Sequence, residues 1–313
     1  MRFVRFLLGC ALAGVLLWWL LRGVDGSSFT LQLRALPIWL WWAAPSGLLI
    51  SYGLRAARVH SELGAVRPVR WMDALHVTLL HNAAVNLIPM RGGELAYPYL
   101  VHQKLGITPA ESVASLLWMR LQDLVVLATL GLMLFLPLAV VERAGAAMLF
   151  IVIIAVLIRR FRRYASLRAA HWRASGPAAT PGWRGRLRGW LLPVLAALAD
   201  GTRHRAASWA YCIANWSLKL VVIAAILKAA GTLPLLVGLQ GALGGELAAL
   251  LPIQGPSGLG TYEAGVWAGV AVALSPAASL PVAALLAHGI IFGTAVLAGA
   301  VALVMGVLGQ PRT

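Results

Sequence analysis

Four carboxylates stand where carboxylates are costly. Glu94, Asp123, Glu246 and Glu263 fall inside long apolar stretches, whereas Asp25, Glu62, Asp73, Glu111, Glu142 and Asp200 fall in loops or at helix ends. An ionisable group at the bilayer centre costs from about 2.5 to well over 10 kcal/mol, so each embedded acid requires a partner or water. The embedded cations able to serve are Arg91, Arg120 and Lys219. Arg120 and Asp123 are spaced i,i+3 and can pair on one helix face.

Two of the acids sit at breaks in apolar runs. In Pro89-Met90-Arg91-Gly92-Gly93-Glu94 the proline ends one half-helix and the glycines allow a tight return. Arg91 and Glu94 then stand at the start of the next half-helix, where free N–H groups, the helix dipole and an arginine fork favour an anionic group such as phosphate. Gly255-Pro256-Ser257-Gly258-Leu259-Gly260 offers a second backbone-rich concavity, with Gln254 before it and Thr261, Tyr262 and Glu263 after it. Asn82, Asn86 and Tyr97 flank the first break and complete the candidate substrate-binding set. The plainer reading of both breaks is structural, with glycines for close helix packing and acids as caps. Two such breaks in one chain favour the functional reading.

The elements that must carry these residues are membrane helices. The 313-residue chain is 60% hydrophobic and 12% charged, with a mean hydropathy of +0.82. A soluble domain is about 45–50% apolar and about 25% charged, so both a soluble and a disordered protein are excluded. Expected spans are 4–21, 36–53, 112–138, 146–158, 208–229 and 282–307, set against the roughly 20 mostly apolar residues a crossing needs. The N-terminal run has the charged start of a signal peptide, but Trp18-Trp19 occupy the place of a cleavage site, so a retained first helix is expected. The stretches 72–103 and 235–275 are interrupted midway by polar Gly/Pro segments. Backbone freed by such a break is tolerated at membrane depth only inside protein or beside a wet cavity. Both are read as re-entrant helical hairpins.

Charge supports that reading. With a cytoplasmic N-terminus and both hairpins returning to their side of entry, nineteen of the 26 Lys and Arg fall on the cytoplasmic side, Arg55 and Arg58 among them. Three fall on the opposite side, a strong positive-inside bias. The net charge of +16 is then an orientation signal and not a nucleic-acid surface. The expected fold is all-α: a polytopic integral membrane protein, one domain over 1–313, with about six spanning helices and two re-entrant hairpins in an inverted repeat. Its halves are 36–138 and 208–307, joined by a basic cytoplasmic loop, 159–206, that lacks a sustained apolar face.

The same residues carry a family resemblance. Asn86…Pro89-x-Arg91-Gly92-Gly93-Glu94, then Lys104-Leu-Gly-Ile-Thr and Arg120-x-x-Asp123, resemble the first block of the lysylphosphatidylglycerol synthase transmembrane-region (flippase-like) family. Leu251-Pro252…Gly258-Leu-Gly260-x-x-Glu263 is similar to its second. The resemblance covers about residues 36–306. It implies a multi-pass protein of a bacterial cytoplasmic (inner) membrane, both termini cytoplasmic, that moves a lipid between leaflets. The family's aminoacyl transferase domain is not expected in this chain. Two departures touch the headgroup: Tyr97 stands where the family often has Arg, and Met119 where it often has Glu. The implied partner is a membrane lipid: a phospholipid, an aminoacylated lipid, a polyprenyl-phosphate lipid or a hopanoid. A homo-oligomer is compatible with this reading, and no nucleic-acid partner is expected.

Two rivals belong to other classes. One is a lipid-binding accessory protein without transport. The other is a rhomboid-like intramembrane protease, since Gly255-Pro256-Ser257-Gly258 matches a Gly-x-Ser-Gly nucleophile segment and His288 could act as base. Only about 30 residues separate Ser257 from His288, which leaves no room for the helix that usually intervenes in that family. Phosphate-loop, His-Glu-x-x-His and Gly-x-Ser-x-Gly signatures are missing, and His76 and His81 are spaced poorly for a shared metal. Neither an enzyme, a metal nor a cofactor is expected.

Overall fold

The computed structural model describes residues 14–18, 22, 26–88, 92–174, 183–201, 205–251 and 255–308. Arg91 and Gln254 lie outside these residues, as does most of the first expected span. The helices are α1 (Gly26–Ala35), α2 (Leu40–Leu63), α3 (Trp71–Leu87), α4 (Ala96–Leu105), α5 (Pro109–Phe135), α6 (Val140–Ala174), α7 (Trp183–Ala199), α8 (Ala206–Gly231), α9 (Leu235–Ala248), α10 (Thr261–Ala271) and α11 (Leu280–Leu308). Short 3-10 turns at Gly92–Leu95 and Pro256–Gly258 precede α4 and α10. The described residues contain no strand, and the fold is all-α.

Among them, α5, α6, α8 and α11 are long and apolar enough to cross a membrane. All of the expected span 36–53 but its first four residues falls in α2, which has the length but carries Arg55, Arg58 and Glu62 in its second half. The expected span 146–158 is only part of α6, whose 35 residues extend about 52 Å, well past a hydrocarbon core of about 30 Å. Nor is 159–206 mainly loop. Arginine is a good helix former, so α6 continues through Arg159–Arg163, and α7 follows. A short apolar face in α7, which the arginine-rich run before it obscures in the sequence, buries Val194 and Ala197 against Ala114 of α5.

Local sequence explains the helix ends that frame the breaks. Thr108 caps α5 by accepting a hydrogen bond from the Glu111 N–H, while its hydroxyl donates to the Glu111 carboxylate at 2.8 Å. Pro109 occupies the first helical position, where a missing N–H costs nothing. The backbone turns extended at Leu136, immediately before Pro137. Each interrupted segment, 72–103 and 235–275, is two shorter helices flanking a turn. α9 and α10 run antiparallel: a Cβ at Gly269 would fall on the Gln240 carbonyl, and one at Gly244 on the Gly265 carbonyl. Only glycine permits backbones to approach this closely.

The chain divides into two compact units, Met1–Leu54, Thr78–Ala96 and Ala214–Thr313 in the first, Arg55–Val77 and Tyr97–Ile213 in the second. Neither coincides with a sequence half. In the first unit Ser51 donates to the Asn215 side chain at 2.7 Å, tying α2 to α8, and Gly299 of α11 packs on Ala83 of α3. The second unit has a core of Val59, Leu63, Ala74, Val77, Tyr97, Val101, Ile107 and Met119, to which the start of α3 and α4 both contribute.

Candidate functional site

In the first unit the two breaks meet. Ser257 has φ 57, a left-handed conformation uncommon for a residue with a Cβ. Its hydroxyl donates to the Asn86 carbonyl at 2.8 Å, a carbonyl freed where α3 ends. The Asn86 amide in turn donates to the Asn82 carbonyl at 2.8 Å. A Cβ at Gly93 would collide with the Ala84 carbonyl, so the chain after the first break can fold back on α3 only with glycine there. Gly258 and Gly260, at φ 84 and 78, let the second break turn into α10. The Thr261 hydroxyl steadies that turn by donating to the Gly258 carbonyl at 2.8 Å.

Glu263 sits in the first turn of α10, wholly buried. One carboxylate oxygen accepts the Gly260 N–H at 2.7 Å, a capping bond. The other lies 2.6 Å from His288 Nδ1 of α11. His288 Nε2 lies 3.0 Å from the Ser257 carbonyl. A carbonyl only accepts, so Nε2 carries a hydrogen. Nδ1 and the carboxylate then share one proton, as imidazolium and carboxylate or as neutral imidazole and carboxylic acid. Either form is neutral as a pair, which is what makes this burial tolerable. The Tyr262 ring lies against the imidazole, centroids 4.6 Å apart, and its buried hydroxyl has no hydrogen-bond partner among the described residues. A cavity of about 130 Å³ opens on Ser257, Leu259, Leu285, His288, Gly289 and Phe292, room for a small cluster of waters.

Two further pairs belong to this unit. Lys219 Nζ lies 2.7 Å from Glu246 and 5.2 Å from the centre of the Trp216 ring. His81 Nε2 lies 3.7 Å from Glu94.

The second unit holds a different constellation. Asp123 receives Arg58 at 2.6 Å on one oxygen and Arg120 at 3.0 Å on the other. Arg58, 2% exposed, also donates to the Met119 carbonyl and, at 3.3 Å, to Cys212 Sγ. Beside them Ser208 donates to Gln122 at 3.0 Å. The Tyr97 hydroxyl lies 3.1 Å from that of Ser115.

The sequence-derived set therefore separates. Asn82, Asn86, Glu94, Lys219, Ser257, Thr261, Tyr262 and Glu263 fall in the first unit, and Tyr97, Arg120 and Asp123 in the second. Arg58, counted among the cytoplasmic cations beyond the span 36–53, lies within α2 and is buried against Asp123. Its signal was the helical stripe Ala44, Leu48, Tyr52, Ala56, Val59 and Leu63, which carries a helix to its end at Leu63 and makes Arg58 an interior residue of it. His288 was read only as a potential catalytic base, and its pairing with Glu263 across 25 residues had no local sequence signal.

No curated protein matches the chain. The family model described as the lysylphosphatidylglycerol synthase TM region matches residues 6–299. With nearly the whole chain matched, the protein belongs to the lysylphosphatidylglycerol synthase transmembrane-region family.

Proposed function

We propose that the protein translocates a polar or charged lipid between membrane leaflets, the headgroup passing the two chain breaks while the tails remain in the bilayer. Family membership supports a membrane-lipid role. The observation that carries the finer reading is the joining of the two breaks through Ser257 and Asn86 beside the buried Glu263–His288 pair. Chain breaks in paired apolar segments are where transporters bind their cargo. In this reading the broken segments 72–103 and 235–275 are re-entrant, the halves form an inverted repeat, and both termini face the cytoplasm of the inner membrane. Half-helix N-termini and Arg91 hold the phosphate, and the shared proton moves between Glu263 and His288 Nδ1 when the headgroup enters.

A serine hydrolase has less support. The Ser257 hydroxyl is spent on the Asn86 carbonyl, and His288 Nε2 faces the Ser257 carbonyl and not the hydroxyl. The test is reconstitution into liposomes with a fluorescent phospholipid and an outer-leaflet quencher. Wild-type protein renders the inner-leaflet pool accessible, whereas Glu263→Gln and Arg91→Ala do not. Wild-type rates in both variants overturn the site. Wild-type protein that retains lipid through purification yet exchanges none supports the accessory-protein reading instead.

A further inference from the structure

One face of α6 changes character along its length. Ile151, Ile154, Ala155 and Ile158 follow helical spacing, and Arg159 and Arg162 continue the same face. Together with residues of α5 and α8 this face lines an open groove of about 620 Å³. Its walls are apolar for most of their length, with Val125, Leu130 and Ile213 opposite the isoleucines, and no acidic residue lines it. At the basic end the Arg162 guanidinium lies 4.8 Å from the centre of the Trp118 ring. Trp118 meets Trp209 edge-on at 6.1 Å. Arg162 Nε is buried and has no hydrogen-bond partner among the described residues.

We propose that this groove binds an anionic phospholipid, one acyl chain along the apolar walls and the phosphate at Arg159 and Arg162. The dimensions fit. From Ile151 to Arg162 the helix rises about 16 Å, close to half of a hydrocarbon core of about 30 Å, which is one leaflet. Tryptophans sit at the basic end, the depth at which they anchor to headgroups. The charge selects the occupant: two arginines with no acid lining the groove between them match a phosphate, an acceptor for guanidinium N–H groups. A hopanoid or an apolar peptide segment would fill the walls and leave both guanidiniums unpaired. The site is built by the second unit's own residues, and its existence does not depend on transport.

The experiment uses the full chain in nanodiscs of phosphatidylcholine containing a minor fraction of phosphatidylglycerol with matched acyl chains. Native mass spectrometry of the released protein should show phosphatidylglycerol retained over phosphatidylcholine. Arg159→Gln with Arg162→Gln should lower that retention roughly tenfold, the loss of about one charge-assisted hydrogen bond. Arg160→Gln with Arg163→Gln removes the same charge from exposed positions that do not line the groove, and should leave retention unchanged. Phosphatidylglycerol carrying a mid-chain diazirine should label wild-type residues 125–130 and 151–158 on irradiation, a readout that needs no variant to fold. Equal losses in both arginine pairs, equal retention of the two lipids, or labelling confined to residues outside the groove would overturn the proposal.

Discussion

The two units bury their charges in opposite ways. In the second, a carboxylate is clamped between two guanidiniums that never lose their protons, on helices that run unbroken past it. In the first, a wholly buried carboxylate faces an imidazole that can give or take a proton, next to a cavity and two breaks in the chain. Fixed charge on continuous helix suits a strut. An exchangeable proton beside freed backbone suits a place where something polar passes. The units also differ in how their helices are joined: in the first, α9 and α10 pack backbone to backbone on glycine, whereas in the second α2 and α5 share an ion cluster beside an apolar core.

Breaking the strut should have the largest effect. Asp123→Asn keeps the shape but leaves Arg58 buried beside Arg120 with no countercharge, a loss of about 3–5 kcal/mol. Thermal melting in detergent and the yield of monodisperse protein read it out, and a native melting curve would end the strut interpretation. Removing both partners, with Arg58→Met and Asp123→Leu, should recover most of the loss, because an apolar pair of similar volume is often neutral. Next comes Gly265→Val in the first unit. The added Cβ would lie 2.5 Å from both the Gly244 carbonyl oxygen and the Ala248 methyl, so α9 and α10 must separate, at a cost of about 1–3 kcal/mol. A variant as stable as wild type would show that glycine packing is incidental there.

What the sequence conveyed followed the same division. All-helical membrane architecture and the two breaks were legible because composition, hydropathy and Gly/Pro punctuation are local signals. Arg120 with Asp123 was legible too, since i,i+3 spacing is geometry within one helix. Arg58 was not. It comes 65 positions before Asp123, and a cation soon after an apolar run reads as the start of a loop until the burial stripe is followed to Leu63. Glu263 with His288 was hidden for the same reason, being a contact between α10 and α11. The continuation of α6 past Arg159 shows the reverse limit. Hydropathy marks where a membrane helix leaves the apolar phase, not where the helix stops.

The two smallest stability effects sharpen the contrast most. Glu263→Gln preserves an acceptor for the Gly260 N–H and offers the imidazole a donor, so folding stability should change by no more than about 1 kcal/mol. Leaflet exchange should nevertheless disappear, a separation of function from stability that Asp123→Asn cannot show. A melting loss as large as that of Asp123→Asn would instead make Glu263 a second strut.

Arg120→Gln should be milder still. The Arg120 side chain is 25% exposed, so water screens part of the attraction and replaces part of the hydrogen bonding once the charge is gone. Arg58 remains in place on the other carboxylate oxygen. A partly exposed i,i+3 pair of this kind contributes about 0.5 kcal/mol. Both variants can be placed in a double-mutant cycle with Asp123→Asn, melting each protein in the same detergent. Coupling to Asp123 should be small for Arg120→Gln and several-fold larger for Arg58→Met, because only Arg58 is left buried and uncompensated when the carboxylate is lost. Equal couplings would mean that the exposed arginine shares the strut. The cluster would then be a symmetric clamp, and the asymmetry between a buried anchor and a solvated neighbour would have to be abandoned.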